Sequence, residues 1–171
     1  MIVLETPRLM MRRLEPNDLD SLAALYADPE VRRYFPEGVL TRGETAEEID
    51  WFRNGHPDDP RLGLWATIER ASGEFIGRCG LLLWEIEGRR EIEIAYLIAR
   101  THWRTGLGAE AAHALVTHGF ETLGLNRLIA LVHPDNIPSA KTAKRAGLYL
   151  ERPLTLDGML CHVYAIERQV S

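Results

Sequence analysis

The sequence predicts an α+β fold, a single domain of residues 1–171 around one mixed, mostly antiparallel sheet. Its centre is three strand-like runs, 64–69, 74–84 and 91–98, whose connections are too short for a helix and therefore predict an antiparallel meander. Segments of helical periodicity precede and follow this meander. The predicted order is β-α-α-β-β-β-α-β-α-β-β, and a length of 171 residues suits one domain.

One strand and two helices are predicted before the meander. Residues 8–14 have the pattern of a strand, and Pro16 precedes a helix. The apolar residues of that helix recur at i, i+3, i+4 and i+7, namely Leu19, Leu22, Ala23 and Tyr26. Thr41 and Glu44 have the spacing of a capping box, which predicts a second helix that ends near Arg53.

Two helices and three strands are predicted after the meander. An amphipathic helix begins at Gly106, and Gly124 is a suitable residue to end it. The remaining elements are a strand over 127–132, a helix over 138–146, and strands over 149–156 and 160–168. The last two strands flank Asp157-Gly158, a pair that favours a tight hairpin turn.

Composition excludes several classes of function. A formal charge of −5 and a pI near 5.7 disfavour a nucleic-acid binder, which usually presents a basic surface. Cys79 and Cys161 lie outside any CxxC pattern and the six histidines lack metal-ligand spacing, so we predict no metal site. We find neither a secretory signal nor an apolar run of ~20 residues, and expect a cytoplasmic protein that does not bind membranes.

Residues 103–111, WRTGLGAEA, place two glycines directly before a long helix. Bare backbone N–H groups at a helix start attract anions, and glycine lets a ligand approach them closely. The turn formally matches the dinucleotide motif G-x-G-x-x-A, but seven residues separate it from Ile98, whereas that motif follows its strand directly. A nicotinamide oxidoreductase is therefore disfavoured, while a plain helix start without a ligand stays open.

The segments 103–111 and 133–148 resemble the GNAT superfamily of acetyl-CoA-dependent N-acetyltransferases. The resemblance is strongest to the branch that acetylates the N-termini of ribosomal proteins. Five motifs carry it in the right order: Glu5-Thr-Pro-Arg-Leu9, Asp28-Pro-Glu-Val31 through Tyr34, Glu93-Ile-Ala-Tyr96, Trp103-Arg-Thr-Gly-Leu-Gly-Ala-Glu-Ala111, and Asn136-Ile-Pro-Ser139 through Gly147. One departure is Met159-Leu160, where the branch often has a His-Asp pair.

The resemblance implies where acetyl-CoA binds. The fourth and fifth predicted strands, 91–98 and 127–132, are expected to splay apart and admit the pantetheine arm beside the backbone of Leu97 and Ile98. The pyrophosphate would be held by backbone N–H groups of Arg104, Thr105, Gly106, Leu107, Gly108 and Ala109. Asn136 stands where the family commonly contacts the cofactor, although a role as a helix cap is equally open.

The resemblance also implies two catalytic residues. Glu93 is the candidate base that accepts a proton from the amine, directly or through a water, and Ser139 is the candidate acid that protonates the leaving thiolate. Other roles stay open for both: Glu93 as part of a solvated strand face, and Ser139 as a residue that satisfies a backbone donor at a helix start.

The expected partners are acetyl-CoA, as co-substrate, and a primary amine, with neither nucleic acid nor metal. The segments that would select the amine, about 33–45 and 153–160, carry no pattern that identifies it. The resemblance is compatible with a homodimer. An acyl-CoA-binding module without catalytic activity is the alternative function for the same fold.

Overall fold

The structure is a computed structural model that describes residues 1–170, in which eight strands and four α-helices are found. The strands are β1 (Ile2–Glu5), β2 (Leu9–Arg13), β3 (Gly63–Glu69), β4 (Phe75–Ile86), β5 (Arg89–Ile98), β6 (Arg127–Val132), β7 (Tyr149–Leu156) and β8 (Met159–Glu167). The helices are α1 (Leu19–Ala27), α2 (Arg42–Phe52), α3 (Leu107–Thr117) and α4 (Ile137–Arg145).

All eight strands form one sheet with the order β1-β2-β3-β4-β5-β6-β8-β7. Every neighbouring pair is antiparallel except β5 and β6, which are parallel. The predicted α+β class and the predicted meander of β3, β4 and β5 are confirmed. The sheet has one strand more than predicted, because the short edge strand β1 is a run of apolar residues without the alternation that marks a strand.

The sheet splays between β5 and β6, the fourth and fifth predicted strands. β5 pairs with β4 along its whole length, from Arg89 opposite Ile86 to Ile98 opposite Gly77. Its pairing with β6 is confined to Glu93 opposite Ile129. From that pair toward their C-terminal ends the two strands diverge, so the sheet opens into a V with Glu93 at its fork.

Arg127 ties the strands together at the closed end of the V. From β6 its Nε donates to Glu91 Oε2 on β5 at 3.0 Å, and its Nη2 donates to Glu151 Oε2 on β7 at 2.7 Å. Its Nη1 lies 3.5 Å from Glu167 Oε1 on β8. These hydrogen bonds, foremost that to Glu151, raise the pKa of Arg127 despite its burial. Four strands are therefore joined through one guanidinium group.

The helices cover the two faces of the sheet. α3 and α4 pack on one face, where Ala111, Leu115 and Ala143 are fully buried. α1 and α2 pack on the other, around the buried side chains of Leu22 and Tyr26. No helix among residues 1–170 is long and apolar enough to cross a membrane.

The structure contains the predicted capping box at the start of α2 and the predicted hairpin turn between β7 and β8. The Thr41 hydroxyl accepts a hydrogen bond from the Glu44 N–H at 3.2 Å and the Glu44 carboxylate accepts one from the Thr41 N–H at 2.7 Å, which is the expected capping box. Asp157 and Gly158 have φ of 50° and 79°, the backbone that a two-residue hairpin turn requires.

Candidate active site

The glycine turn presents a row of free backbone donors. Gly106 is the N-cap of α3 with φ of 81°, and Arg104 has φ of 64°. Among the described residues, the backbone N–H groups from Arg104 to Ala109 have no acceptor, and the first to be satisfied is that of Glu110, which donates to Gly106 O at 3.0 Å. The Leu107 side chain is buried in the core, which leaves its N–H on the outer side of the turn.

Arg8, just before β2, holds this turn in place. Its Nη1 donates to Thr105 O at 2.9 Å and its Nε donates to Glu110 Oε1 at 3.0 Å. Burial alone would raise the pKa of Glu110, but hydrogen bonds from Thr6 and Arg8 lower it below its ordinary value. Sequence reasoning did not find this function of Arg8, since 97 residues separate it from Thr105 and no local pattern connects them.

The backbone beside the opening of the V is also partly engaged. The indole Nε1 of Trp103 donates to Ile98 O at 2.8 Å, which anchors the turn to the end of β5. Leu97 pairs with Arg78 of β4 on the side away from β6. Within residues 1–170, the side of β5 that faces β6 has no strand partner beyond Glu93.

Glu93 lies at the fork of the V, largely buried. The indole Nε1 of Trp84 donates to its Oε1 at 3.1 Å. Burial raises the pKa of Glu93 to about 7, against the opposing influence of the Trp84 hydrogen bond and the positive charge of Arg78. Its neighbour Glu91 is 7% exposed and pairs with Arg127, so these carboxylates do not mark a solvated strand face.

Ser139 lies in the first turn of α4 and contacts β5 across the opening. The Tyr96 hydroxyl donates to Ser139 O at 2.9 Å and lies 3.1 Å from Ser139 Oγ. Burial raises the pKa of Tyr96, so its phenol stays protonated. Because its one proton goes to the carbonyl, the Tyr96 oxygen is free to accept from the Ser139 hydroxyl. Tyr96 was not predicted as a site residue, although it is the last residue of the motif Glu93-Ile-Ala-Tyr96.

Asn136 is the N-cap of α4. Its Oδ1 accepts from the Ser139 N–H at 3.2 Å, which is the capping role that the sequence left open for it. The Ser139 side chain is therefore not needed as a cap, and its hydroxyl is directed to Tyr96 instead. The contact between Asn136 and the cofactor stays a prediction.

Glu93 and Ser139 approach the opening from opposite faces of the sheet. Glu93 is two residues from Ala95, which packs with the α1 and α2 core. Tyr96, the partner of Ser139, packs with the α3 and α4 core. The two predicted catalytic residues thus lie on the two sides of the same gap.

Two other features lie away from this gap. A surface groove of about 640 Å³ runs between the first residues of the chain and α3, and its lining contains neither Glu93 nor Ser139. Glu69, Glu74 and His102 have potential metal-ligand atoms within 4.8 Å of one another at the surface, and share no residue with the gap.

The splayed sheet and the helix start with free donors agree with the α+β fold that the resemblance to acetyltransferases predicts. The model of the acetyltransferase (GNAT) domain family matches residues 8–149, and the chain belongs to this family. Uncharacterized N-acetyltransferase p20 of Bacillus licheniformis is 35% identical over 82% of this chain and 79% of that protein. Uncharacterized N-acetyltransferase YoaA of Bacillus subtilis is 31% identical over 87% and 84%.

Solved structures agree with the fold. A GNAT-family acetyltransferase from Bacillus anthracis superposes with a TM-score of 0.82 at 24% identity, over 98% of both chains. RimL, a ribosomal L7/L12 alpha-N-protein acetyltransferase solved in complex with coenzyme A, superposes with a TM-score of 0.76 at 18% identity, over 98% of both chains. The predicted resemblance to the GNAT superfamily is confirmed, and the protein is an acetyltransferase enzyme.

Proposed function

We propose that the protein transfers the acetyl group of acetyl-CoA to a primary amine, by direct attack while both substrates are bound. The observation that carries this proposal is the row of free N–H groups from Arg104 to Ala109, placed beside a gap in the sheet with Glu93 at its fork. The solved complex of RimL with coenzyme A supports it, because that protein shares the fold.

The residues present fit coenzyme A. Backbone donors at Arg104, Thr105, Gly106, Leu107, Gly108 and Ala109 would hold its pyrophosphate, since the turn exposes them and the α3 dipole favours negative charge. The side of β5 that faces the gap near Leu97 and Ile98 would hydrogen-bond the pantetheine arm as an added strand does, with Ile98 O accepting a second hydrogen bond beside that from Trp103. Asn136 would contribute its amide N–H₂, which its capping role leaves free.

Glu93 would accept the proton that the amine must lose. Acetyl-CoA supplies a thioester, and as the amine nitrogen bonds to its carbonyl carbon, the carbon–sulfur bond breaks. An α-amine of pKa ~8 or a lysine-type amine of pKa ~10 is mostly protonated at neutral pH, so a base is needed. With its pKa near 7, Glu93 can both accept and release a proton under these conditions.

Ser139 would turn its hydroxyl from Tyr96 to the leaving sulfur, donate its proton there from the opposite face of the sheet, and recover a proton from solvent as coenzyme A leaves. Tyr96 acts as a positioning residue, because its hydroxyl contacts both Ser139 O and Ser139 Oγ. Base and acid on opposite sides of the gap suit a reaction in which the amine enters from one side and the thiol leaves from the other.

We also keep three predictions as part of this proposal. The chain forms a single domain of residues 1–171, works in the cytoplasm and is compatible with a homodimer. The free thiols of Cys79 and Cys161 support the cytoplasmic location, because reduced cysteines are usual in the cytoplasm.

The test combines ligand binding with turnover. Coenzyme A at 100 times its Kd should raise the melting temperature by roughly 5–10 °C, whereas NADH should not. Thiol release from acetyl-CoA is then measured with peptides that begin with Ser, Ala or Thr, with amino acids, with polyamines and with aminoglycosides. A coenzyme A shift with release on any class supports the proposal. A shift without release favours the non-catalytic binding module, and protection by NADH alone contradicts the assignment.

A further inference from the structure

We propose that the acceptor amine carries a carboxylate, which Arg78 binds on the α1 and α2 face of the sheet, and that polycationic amines are poor acceptors. The inference rests on the proposed acetyl transfer and names the chemical class of its acceptor. The observation behind the inference is an excess of buried positive charge on the same face of the sheet as Glu93.

Arg78 is a buried arginine whose hydrogen-bonding capacity is largely unused. It is 5% exposed, and its Nε donates to the Tyr26 hydroxyl at 2.8 Å. Among residues 1–170 its two Nη groups have no acceptor, yet neither is fully enclosed by protein. Burying a guanidinium without partners is costly, so these donors are available for an anion that reaches them.

A second arginine lies beside it. Arg32, also 5% exposed, stacks with its Cζ 4.0 Å from the centre of the Phe35 ring, and the Cζ of Arg78 lies 5.7 Å from the same centre. Burial and the neighbouring charge of Arg78 lower the pKa of Arg32. The Nε of Arg32 donates to Gly38 O at 2.8 Å, which secures the segment between α1 and α2 over this face.

Protein carboxylates do not balance these two charges. Glu48 accepts a hydrogen bond from the Tyr26 hydroxyl, and that phenol lies between Glu48 and Arg78. Glu37 lies 3.6 Å from Arg32 Nη2, but its side chain is 64% exposed. Glu93 lies on the same face, but burial raises its pKa to about 7, so at neutral pH it carries only part of a negative charge. Apart from Glu93, the two buried guanidinium groups face one partly buried carboxylate and one solvated one, which favours a further anion.

Arg78 and Glu93 face the same side of the sheet. In the β4–β5 ladder Arg78 is opposite Leu97 and Gly80 is opposite Ala95. Glu93 is two residues before Ala95 on β5, so its side chain is on the same face. Small residues, Gly80 and Ala95, therefore separate the two charged groups along the surface of the sheet. A ligand that binds along this face can present its amine to Glu93 and its carboxylate to Arg78, while a second amine there would be repelled.

The experiment compares matched acceptors that differ only in the carboxylate. Wild-type protein is assayed for thiol release with amino acids, ω-amino acids of increasing length and dipeptides such as Ser-Glu, each beside its amide or, for Ser-Glu, beside Ser-Gln. We expect kcat/KM to be at least ~10-fold higher for the carboxylate member of the best pair, as a charge-assisted hydrogen bond predicts. Polyamines should be turned over more slowly than either member.

Variants then assign the preference to Arg78. Arg78→Met should abolish the preference mainly through KM for the carboxylate member, and Arg78→Lys should restore part of it. Arg61→Met, which removes an arginine paired with Asp59 on an exposed loop, serves as the control and should keep the preference. The coenzyme A melting shift of each variant shows that the fold and the cofactor site are intact.

Three results would overturn the inference. They are equal or better turnover of the amides, an unchanged preference in Arg78→Met, and no thiol release with any carboxylate acceptor while other amines are turned over. Failure of the proposed function itself would appear differently, as no thiol release with any amine class, whether or not coenzyme A shifts the melting temperature.

Discussion

Glu93 shows how strongly its surroundings determine what a single carboxyl group can do. Its place in the sequence motif indicated a base, but its raised pKa arises from burial at the fork of two strands. The contact with Trp84 is made across the β4–β5 ladder, and no local pattern in the sequence contains it. Residue type was therefore predictable, while the proton affinity of the residue was not.

The raised pKa of Glu93 makes a prediction about stability. Because its folded pKa of about 7 exceeds the ordinary value of 4.5, the folded state binds the proton more tightly than the unfolded chain. The stability that protonated Glu93 contributes is complete below about pH 4.5 and is lost as the pH rises through 7. Glutamine does not ionise, so Glu93→Gln should not lose stability in this pH range. At about pH 8 the free energy of unfolding of the variant should exceed that of wild type by on the order of 2 kcal/mol.

Urea unfolding at about pH 5 and about pH 8 measures this difference. The advantage of Glu93→Gln should be small at the lower pH and grow toward the higher one. Glu85→Gln, at an exposed position of β4, is the control and should show no such growth. An advantage of Glu93→Gln that does not change with pH would contradict the buried, proton-retaining carboxyl group.

The supporting residues of the site show where sequence reasoning reaches its limit. Arg8 contacts a turn 97 residues away, and Tyr96 contacts Ser139 from 43 residues away. Local spacing identified the glycine turn and the cap at Asn136, since both are properties of neighbouring residues. Contacts that depend on how strands and helices come together could not be found that way.

At the scale of elements, the V between β5 and β6 has an open and a closed end. The closed end is joined by Arg127, whose side chain is 18% exposed, and Glu91, whose side chain is 8% exposed. Since Glu91 would stay buried without a partner, Arg127→Met should lower the free energy of unfolding by about 3 kcal/mol.

The double variant Glu91→Met with Arg127→Met provides the matched comparison, because it removes the buried charge together with its partner. It should recover most of the lost stability in urea unfolding, as replaced buried ion pairs commonly do. A double variant as unstable as Arg127→Met alone would show that the arginine contributes through packing or through Glu151 rather than by neutralising Glu91.

Elements differed in how readily the sequence predicted them. Helices with clear end signals, such as α2 with its capping box, began within one residue of the predicted position. The edge strand β1 was missed because four residues offer too little pattern. The helix predicted from Gly106 ends as α-helix at Thr117 and continues as a π-helical turn, a change that periodicity does not reveal.

At the scale of the whole molecule, the sheet separates the two halves of the proposed reaction. The α3 and α4 face carries Ser139 and the glycine turn that is proposed to bind coenzyme A, and the α1 and α2 face carries Glu93 and Arg78. The gap between β5 and β6 connects these two faces of the sheet. One sheet that runs from Ile2 to Glu167 supports the prediction that the chain is a single domain.

The measurement that tests the central proposal most directly is the pH dependence of acetyl transfer by wild type and Glu93→Gln. With the best amine of the panel, wild-type kcat should rise with pH through an apparent pKa near 7, as deprotonated Glu93 becomes available. Turnover by Glu93→Gln should fall about a hundredfold or more, and its kcat should no longer rise with pH through an apparent pKa near 7. Coenzyme A should still raise the melting temperature of this variant. Full activity of Glu93→Gln with an unchanged profile would contradict the role of Glu93 as the base.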